Sequence, residues 1–176
     1  RSPHAHARIK SINTSKAEAH PEVKAVATAM DLPPAEPTAM RAVIGVGPNE
    51  NVLARGKALY KGHAVAALAA TSSHVAEEAL SLIEVEYEVL PSVTDVESAM
   101  KPDAPILHEH WVSEGGGSSK ATNIASYQQF KLGDVEKGFK QADLVVEREY
   151  RTQTVHQGYI EPQNGTAWWT ADGHVT

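Results

Sequence analysis

A mixed α+β fold in two parts is what this sequence predicts, and three observations carry the prediction. Residues 58–90 alternate strand, helix and strand patterning, a glycine–serine run occupies residues 113–119, and one short helical pattern stands among strand-like segments in residues 124–176. The chain has 176 residues, 41% apolar and 22% charged. Since domains commonly hold about 100–150 residues, that length suits one large core or two modest ones, in a composition typical of folded chains.

Taken in order, residues 4–12 alternate well enough for a strand, residues 16–20 give one helical turn before Pro21, and residues 23–29 read as a second strand. Residues 31–50 hold prolines at 33, 34, 37 and 48 with Gly45 and Gly47, which interrupts both ladders and helices and predicts a long surface excursion. A short strand over 58–60 leads through a Lys61-Gly62 turn into residues 63–70, a nearly all-apolar run that reads as a buried strand. Ser72 or Ser73 caps the helix that follows, whose apolar stripe is Val75, Ala76, Ala79, Leu80 and Ile83. Val85, Tyr87 and Val89 then alternate with Glu84, Glu86 and Glu88, a strand with one wet face, ended by Pro91. A right-handed crossover with parallel pairing suits this strand, helix and strand, although the hydrophobic pattern alone leaves the pairing open.

The run Ser113-Glu114-Gly115-Gly116-Gly117-Ser118-Ser119 has little to bury and places a domain boundary near residue 110, with residues 109–123 as the linker. Beyond it, residues 124–130 read as a strand, Asp134 caps a helix carrying Val135, Phe139 and Ala142, and residues 144–155 and 159–169 read as long strands. The Asp172-Gly173 turn predicts a hairpin whose returning arm is cut short, and with no methionine before Arg1 the chain reads as a piece of a longer one.

The net charge of −6 is spread evenly: ten basic and thirteen acidic residues in 1–108, six and nine in 109–176. No basic face offers phosphate neutralisation, which argues against a nucleic-acid partner. The longest apolar run, residues 64–70, is far short of the roughly 20 residues that span a bilayer, so no membrane partner is expected and the chain reads as soluble and cytoplasmic. With no cysteine there are no disulfides, thiolate zinc sites or cysteine-held iron–sulfur clusters in this segment.

His4 with His6 and His108 with His110 have spacings that can bind zinc, but no third ligand lies at a telling offset, and solvated histidines account for both pairs. The glutamates at 84, 86 and 88 are the wet face of a strand. Gly45-x-Gly47 lacks the third glycine and helix of a dinucleotide turn, and residues 115–119 lack the lysine spacing of a P-loop. No serine elbow or cysteine nucleophile is present. The polar group that stands out is Gln153, His156, Gln157, Tyr159, Glu161 and Gln163, just before Trp168 and Trp169, and its ordinary reading is the outer face of a sheet. Glu161 is the sharpest member, a carboxylate between Ile160 and the bend at Pro162, positioned to face a pocket.

Six stretches, in order, carry a resemblance: Arg1-Ser-Pro-His-Ala-His-Ala-Arg-Ile9, Tyr60-Lys-Gly-His-Ala-Val-Ala-Ala67, Val85-Glu-Tyr-Glu-Val-Leu-Pro91, Gly133-Asp134 with Phe139, Ala142-Asp143-Leu-Val-Val-Glu147, and His156-Gln-Gly-Tyr-Ile-Glu-Pro162. Together they resemble the large molybdenum-binding subunit of the xanthine dehydrogenase, aldehyde oxidase and carbon monoxide dehydrogenase family. The resemblance implies an α/β hammerhead domain over 1–108, the linker over 109–123, and the truncated, strand-rich start of a molybdopterin-binding domain over 124–176. One departure is His63-Ala64, where many bacterial relatives have an acid or amide followed by proline.

For the full-length parent the resemblance implies oxidation or hydroxylation of an aldehyde, an N-heterocycle or carbon monoxide, with water as the oxygen source. It also implies a molybdenum–molybdopterin cofactor, iron–sulfur and sometimes FAD subunits or domains, a small-molecule substrate, and a homo-oligomer of heteromers. The family's catalytic glutamate and glycine-rich cofactor segment belong downstream of this sequence. No catalytic residue and no metal ligand is therefore assigned in the fragment, which is expected to bind no cofactor and to be inactive alone. Gln157, Tyr159 and Glu161 are the candidates for lining the substrate channel or approaching the cofactor. The rival reading is a non-catalytic ligand- or partner-binding module.

Overall fold

A computed structural model of the chain describes residues 1–33, 52–109, 112, 120–125, 127–155, 157–161 and 164–175. The proline-rich stretch, the glycine–serine run 113–119, and His110, His156 and Gln163 lie outside the described residues, the first of these from residue 34 onward. The chain divides into two units, Arg1–Phe130 and Lys131–Thr176.

In the first unit β1 (Ala7–Asn13) is the middle strand of an antiparallel sheet, between β3 (Lys57–Ala58) and β5 (Glu84–Val89). A register shift between Ile9 and Ser11 inserts an extra residue. Strict alternation would put Ile9 and Ile12 on opposite faces; the bulge lets both be half-buried while Arg8, Lys10 and Ser11 stay exposed. On β5, Glu84, Glu86 and Glu88 face water as their alternation predicts, and each finds a partner on or near β1. Lys16 pairs with Glu84, Ser11 Oγ lies 3.5 Å from Glu86, and Arg8 Nε lies 3.8 Å from Glu88.

A second sheet joins β2 (Val23–Thr28) to β4 (Ala66–Ala70), again antiparallel. Between β2 and β3, Arg55 Nη2 donates to the carbonyls of Ala29 and, at 2.6 Å, Leu32, which ties the turn after β2 to the strand entering β3. Helix α1 (Ser15–Glu18) links β1 to β2, and α2 (Ser73–Leu80) follows β4. Ser72 is the cap of α2: its side chain accepts the Val75 amide at 3.3 Å. Val75 and Ala79, one turn apart and so on one face, are buried, at 8% and 0% exposure. Leu80, expected on the same stripe, is instead 48% exposed in the last turn. A third short helix, α3 (Val96–Ala99), is capped by Asp95.

Two expectations from the sequence are overturned in this unit. The strand predicted over 63–70 forms only from Ala66, and Ala67 and Ala69 are exposed, because β4 pairs with one neighbour and is covered on one side by α2. The parallel crossover is not formed: β4 pairs with β2, and β5 pairs with β1 in the other sheet. The buried core is largely alanine, namely Ala7, Ala17, Ala29, Ala54, Ala58 and Ala79, with Leu53, Val65 and Val75. Small side chains let strands and helices approach closely, which explains why three polar residues, Ser2, His6 and His63, are buried beside them.

In the second unit α4 (Val135–Gln141) is capped by Asp134, whose carboxylate accepts the Lys137 amide at 3.0 Å. The Asp172-Gly173 turn is present: the Thr170 amide donates to the His174 carbonyl at 2.8 Å, Gly173 has φ +87, and Trp169 bridges Val175. Among the described residues, the strands predicted over 124–130, 144–155 and 159–169 are not formed. A strand requires a partner for its amides and carbonyls, and these segments have no ladder neighbour. No helix among the described residues is long and apolar enough to cross a membrane.

Candidate functional site

Three of the sequence candidates fall in one turn of the second unit. Gln157, Tyr159 and Glu161 flank Gly158, whose φ of +72 bends the chain, and all three side chains are exposed, Tyr159 at 48%. They are close in sequence rather than gathered about a cavity. Gln153 is exposed as well, in the segment before them.

A pterin cofactor with a phosphate-bearing tail needs backbone amides or cations aimed at it. Among the described residues of this unit neither is assembled. The N-terminus of α4 is filled by the Asp134 carboxylate. Gly133, Gly158 and Gly173 serve left-handed turns, and an added Cβ at any of them, or at Gly138 or Gly165, would meet open space. Neither the start of α4 nor these glycines therefore form a phosphate cradle among the described residues. No group of three or more metal-ligating side chains comes together among them in either unit.

The first unit brings together two stretches that lie far apart in the sequence. The Ser2 amide donates to the His63 carbonyl at 2.8 Å, the Gly62 amide donates to the Ser2 carbonyl at 2.8 Å, and Arg1 Nη1 reaches the Gly62 carbonyl at 3.0 Å. His63 is fully buried and stacks on Tyr60 with ring centres 4.4 Å apart. Its Nδ1 accepts the Leu59 amide at 3.3 Å, so the ring proton belongs on Nε2. That bond ties the buried His63 ring to the backbone that follows β3.

His6 is buried at 4% exposure, and its Nδ1 lies 2.6 Å from the Pro91 carbonyl. A carbonyl only accepts, so Nδ1 of this ring carries the proton. The Leu90 amide donates to the His6 carbonyl at 2.9 Å, and the residue thereby fastens the start of β1 to the end of β5 through backbone and side chain. His4 packs edge-on against Tyr87 at 5.1 Å. Burial pushes the Tyr87 hydroxyl above its usual range, partly offset by a hydrogen bond with Ser2. His4 and His6, read from sequence as a possible ligand pair, thus have separate partners. Burial of His6 and His63 was not evident from their spacing; their positions beside alanines, Ala5, Ala7 and Ala64, were the available hint.

The motif stretches that line this junction belong to a known domain. Residues 1–91 match the α/β hammerhead domain of aldehyde oxidase and xanthine dehydrogenase, and residues 118–176 match a molybdopterin cofactor-binding domain. The chain belongs to the xanthine dehydrogenase and carbon monoxide dehydrogenase family of large subunits. It is 39% identical over 165 residues to the carbon monoxide dehydrogenase large chain of Afipia carboxidovorans, covering 92% of this chain and 20% of that one. A probable xanthine dehydrogenase component of Bacillus subtilis is 37% identical, with 100% of this chain and 22% of the relative covered. Among solved structures, the Cu,Mo-CO dehydrogenase in its carbon monoxide reduced state aligns with a TM-score of 0.60 and 37% identity, over 82% of this chain and 18% of that chain. The chain thus spans about a fifth of the length of these relatives, and the hammerhead match lies within its mixed α+β first unit.

Proposed function

We propose that this chain is the hammerhead and the opening of the cofactor-binding region of a molybdenum hydroxylase. The parent subunit would oxidise or hydroxylate an aldehyde, an N-heterocycle or carbon monoxide, with water as the oxygen source. The observation that carries the reading is the order of the two family matches, hammerhead over 1–91 and cofactor-binding domain over 118–176. The interval between them contains most of the glycine–serine run, and with it we divide the chain into residues 1–108, a connection over 109–123 and residues 124–176.

In the parent, bound molybdopterin would supply the redox chemistry, while this chain supplies shape and hydrogen bonds. Gln157, Tyr159 and Glu161 lie within the cofactor-domain match, are exposed, and flank the bend at Gly158. Iron–sulfur and, in some relatives, flavin components would carry electrons onward, and the assembly would be a cytoplasmic oligomer of such heteromers. The fragment alone is proposed to be inactive, in keeping with the absence of a phosphate cradle among its described residues.

The test uses both forms. The 176-residue chain should contain no stoichiometric molybdenum by plasma mass spectrometry. In the parent subunit, Glu161→Gln should lower turnover or cofactor loading well beyond Glu86→Gln, whose site is on the exposed face of β5. Stoichiometric metal in the fragment, or equal tolerance of the two substitutions, would overturn the reading.

A further inference from the structure

The chain that follows the first sheet is held by two side-chain clips, one to the sheet and one within the loop. Lys57 and Arg8 stand directly opposite each other in the β3–β1 register, and Arg8 stands opposite Glu88 in the β1–β5 register. Two cations side by side on one sheet face repel, and the single anion of that row, Glu88, pairs with Arg8. Lys57 is left to the segment that crosses it: its Nζ, with the side chain only 13% exposed, lies 3.1 Å from the Ile106 carbonyl and 3.0 Å from Glu109 Oε1. The second clip is Asn123. Its Oδ1 accepts the Leu107 amide at 3.0 Å, and its Nδ2 donates to the carbonyls of Ala99 and Pro105, each at 3.0 Å. One amide side chain thus satisfies three backbone groups on a loop, and residues 104–108 and 121–124 are half-buried as a result.

We infer that residues 104–109 form a charge-latched strap over the edge of the first sheet, latched by Glu109 on Lys57 and held at its far end by Asn123. The strap fixes where the connection to the cofactor-binding region leaves the hammerhead, and it does not depend on which reaction the parent catalyses. Around the latch stand Lys57 on β3, Arg8 on β1, itself paired with Glu88 on β5, and His6 just before β1, with His108 next to Glu109 in the strap. The hydrogen bond and charge of Lys57 hold the Glu109 carboxyl below its ordinary range, with Arg8 and His6 adding to the effect. A carboxyl depressed in the folded state stabilises above its unfolded value and loses that contribution as pH falls through the folded one. The latch is therefore closed at neutral pH and released in acid.

Hydrogen exchange with mass spectrometry on the full chain tests this, read as protection of residues 104–109 relative to β1 and β5. At pH 7, Lys57→Gln and Glu109→Gln should each speed exchange of that peptide about tenfold, and the double charge swap Lys57→Glu with Glu109→Lys should restore it. Asn123→Ala should speed exchange of the Leu107 amide, while Glu86→Gln leaves the peptide unchanged. Lowering the pH below 4.5, the ordinary value for this carboxyl, should loosen the peptide in the unsubstituted chain and add nothing in Glu109→Gln. If Lys57→Gln also loosens β1 and β5, Glu109→Gln decides alone, because its side chain is 62% exposed and its loss leaves the core intact. Exchange of 104–109 at the unsubstituted rate in Glu109→Gln, or no recovery in the swap, would overturn the strap.

Discussion

Both units of this chain carry many apolar residues in sequence, and these meet opposite fates in structure. In Arg1–Phe130, Ala7 of β1, Ala58 of β3, Ala17 of α1 and Ala79 of α2 are closed over completely, and two imidazoles are buried with them. In the other unit Phe139, Leu144, Val146, Tyr150, Val155, Trp168 and Trp169 are all more than half exposed, and of the described residues 131–175 all but Thr170 are exposed. The difference lies in partners. Each strand of the first unit has another strand near enough to close a ladder, whereas among the described residues 144–155 and 159–168 none has a ladder partner. Propensity and alternation do not make a strand where the backbone groups have nothing to bond.

The sharpest contrast should come from one charge placed in each unit. Ala79→Asp buries a carboxylate at a fully enclosed position on α2 and should cost about 3 kcal/mol or more, enough to abolish the cooperative thermal transition of the first unit. Phe139→Asp on α4, at a site 62% exposed, should change that transition by no more than about 0.5 kcal/mol. Comparable losses in calorimetry would show that the second unit packs more than its exposure implies.

Next in size is His63→Ala, which leaves the half-buried Leu59 amide without this acceptor and removes the stack on Tyr60. About 1–3 kcal/mol should be lost in urea unfolding. His63→Asn, which keeps an acceptor, should recover part of it; an alanine variant as stable as the starting chain would contradict the hydrogen bond. Ser72→Ala removes the α2 cap and should cost about 1 kcal/mol by the same assay.

The smallest effect concerns acid. Thr28 backbone and side-chain bonds lower Asp31, Lys16 lowers Glu84, and the Ser98 amide lowers Asp95, all in the first unit. Carboxyls depressed on folding contribute above about pH 4 to 4.5 and lose that contribution as the pH falls through their folded values. The first unit should therefore lose stability gradually below about pH 4.5, and Glu84→Gln should make its acid limb shallower. An acid limb that Glu84→Gln leaves unaltered would remove the Lys16–Glu84 pair as a source of stability.

Several elements were legible in the sequence for physical reasons that are local. The alternation of Val85 and Tyr87 with glutamates marked β5 and its wet face, and Ser72, Asp134 and the Asp172-Gly173 turn were read from side-chain chemistry that acts within a few residues. Pairing was not legible. The antiparallel partners of β4 and β5 are separated from them by dozens of residues, and the β1 bulge depends on a partner strand rather than on Lys10 itself. Nor did any motif point to Lys57, Glu109 and Asn123, whose contacts join positions remote in the chain. Gln157, Tyr159 and Glu161 drew notice by clustering in sequence, which says nothing of what opposes them.

Amide hydrogen exchange over the whole chain tests the central contrast most directly. Strong protection is expected in β1, β5, β2, β4 and α2, with residues 142–155 exchanging near the rate of an unstructured peptide. Protection of residues 142–155 comparable to that of β1 and β5 would contradict the contrast, because those amides would then have ladder partners within this chain or in a second copy of it.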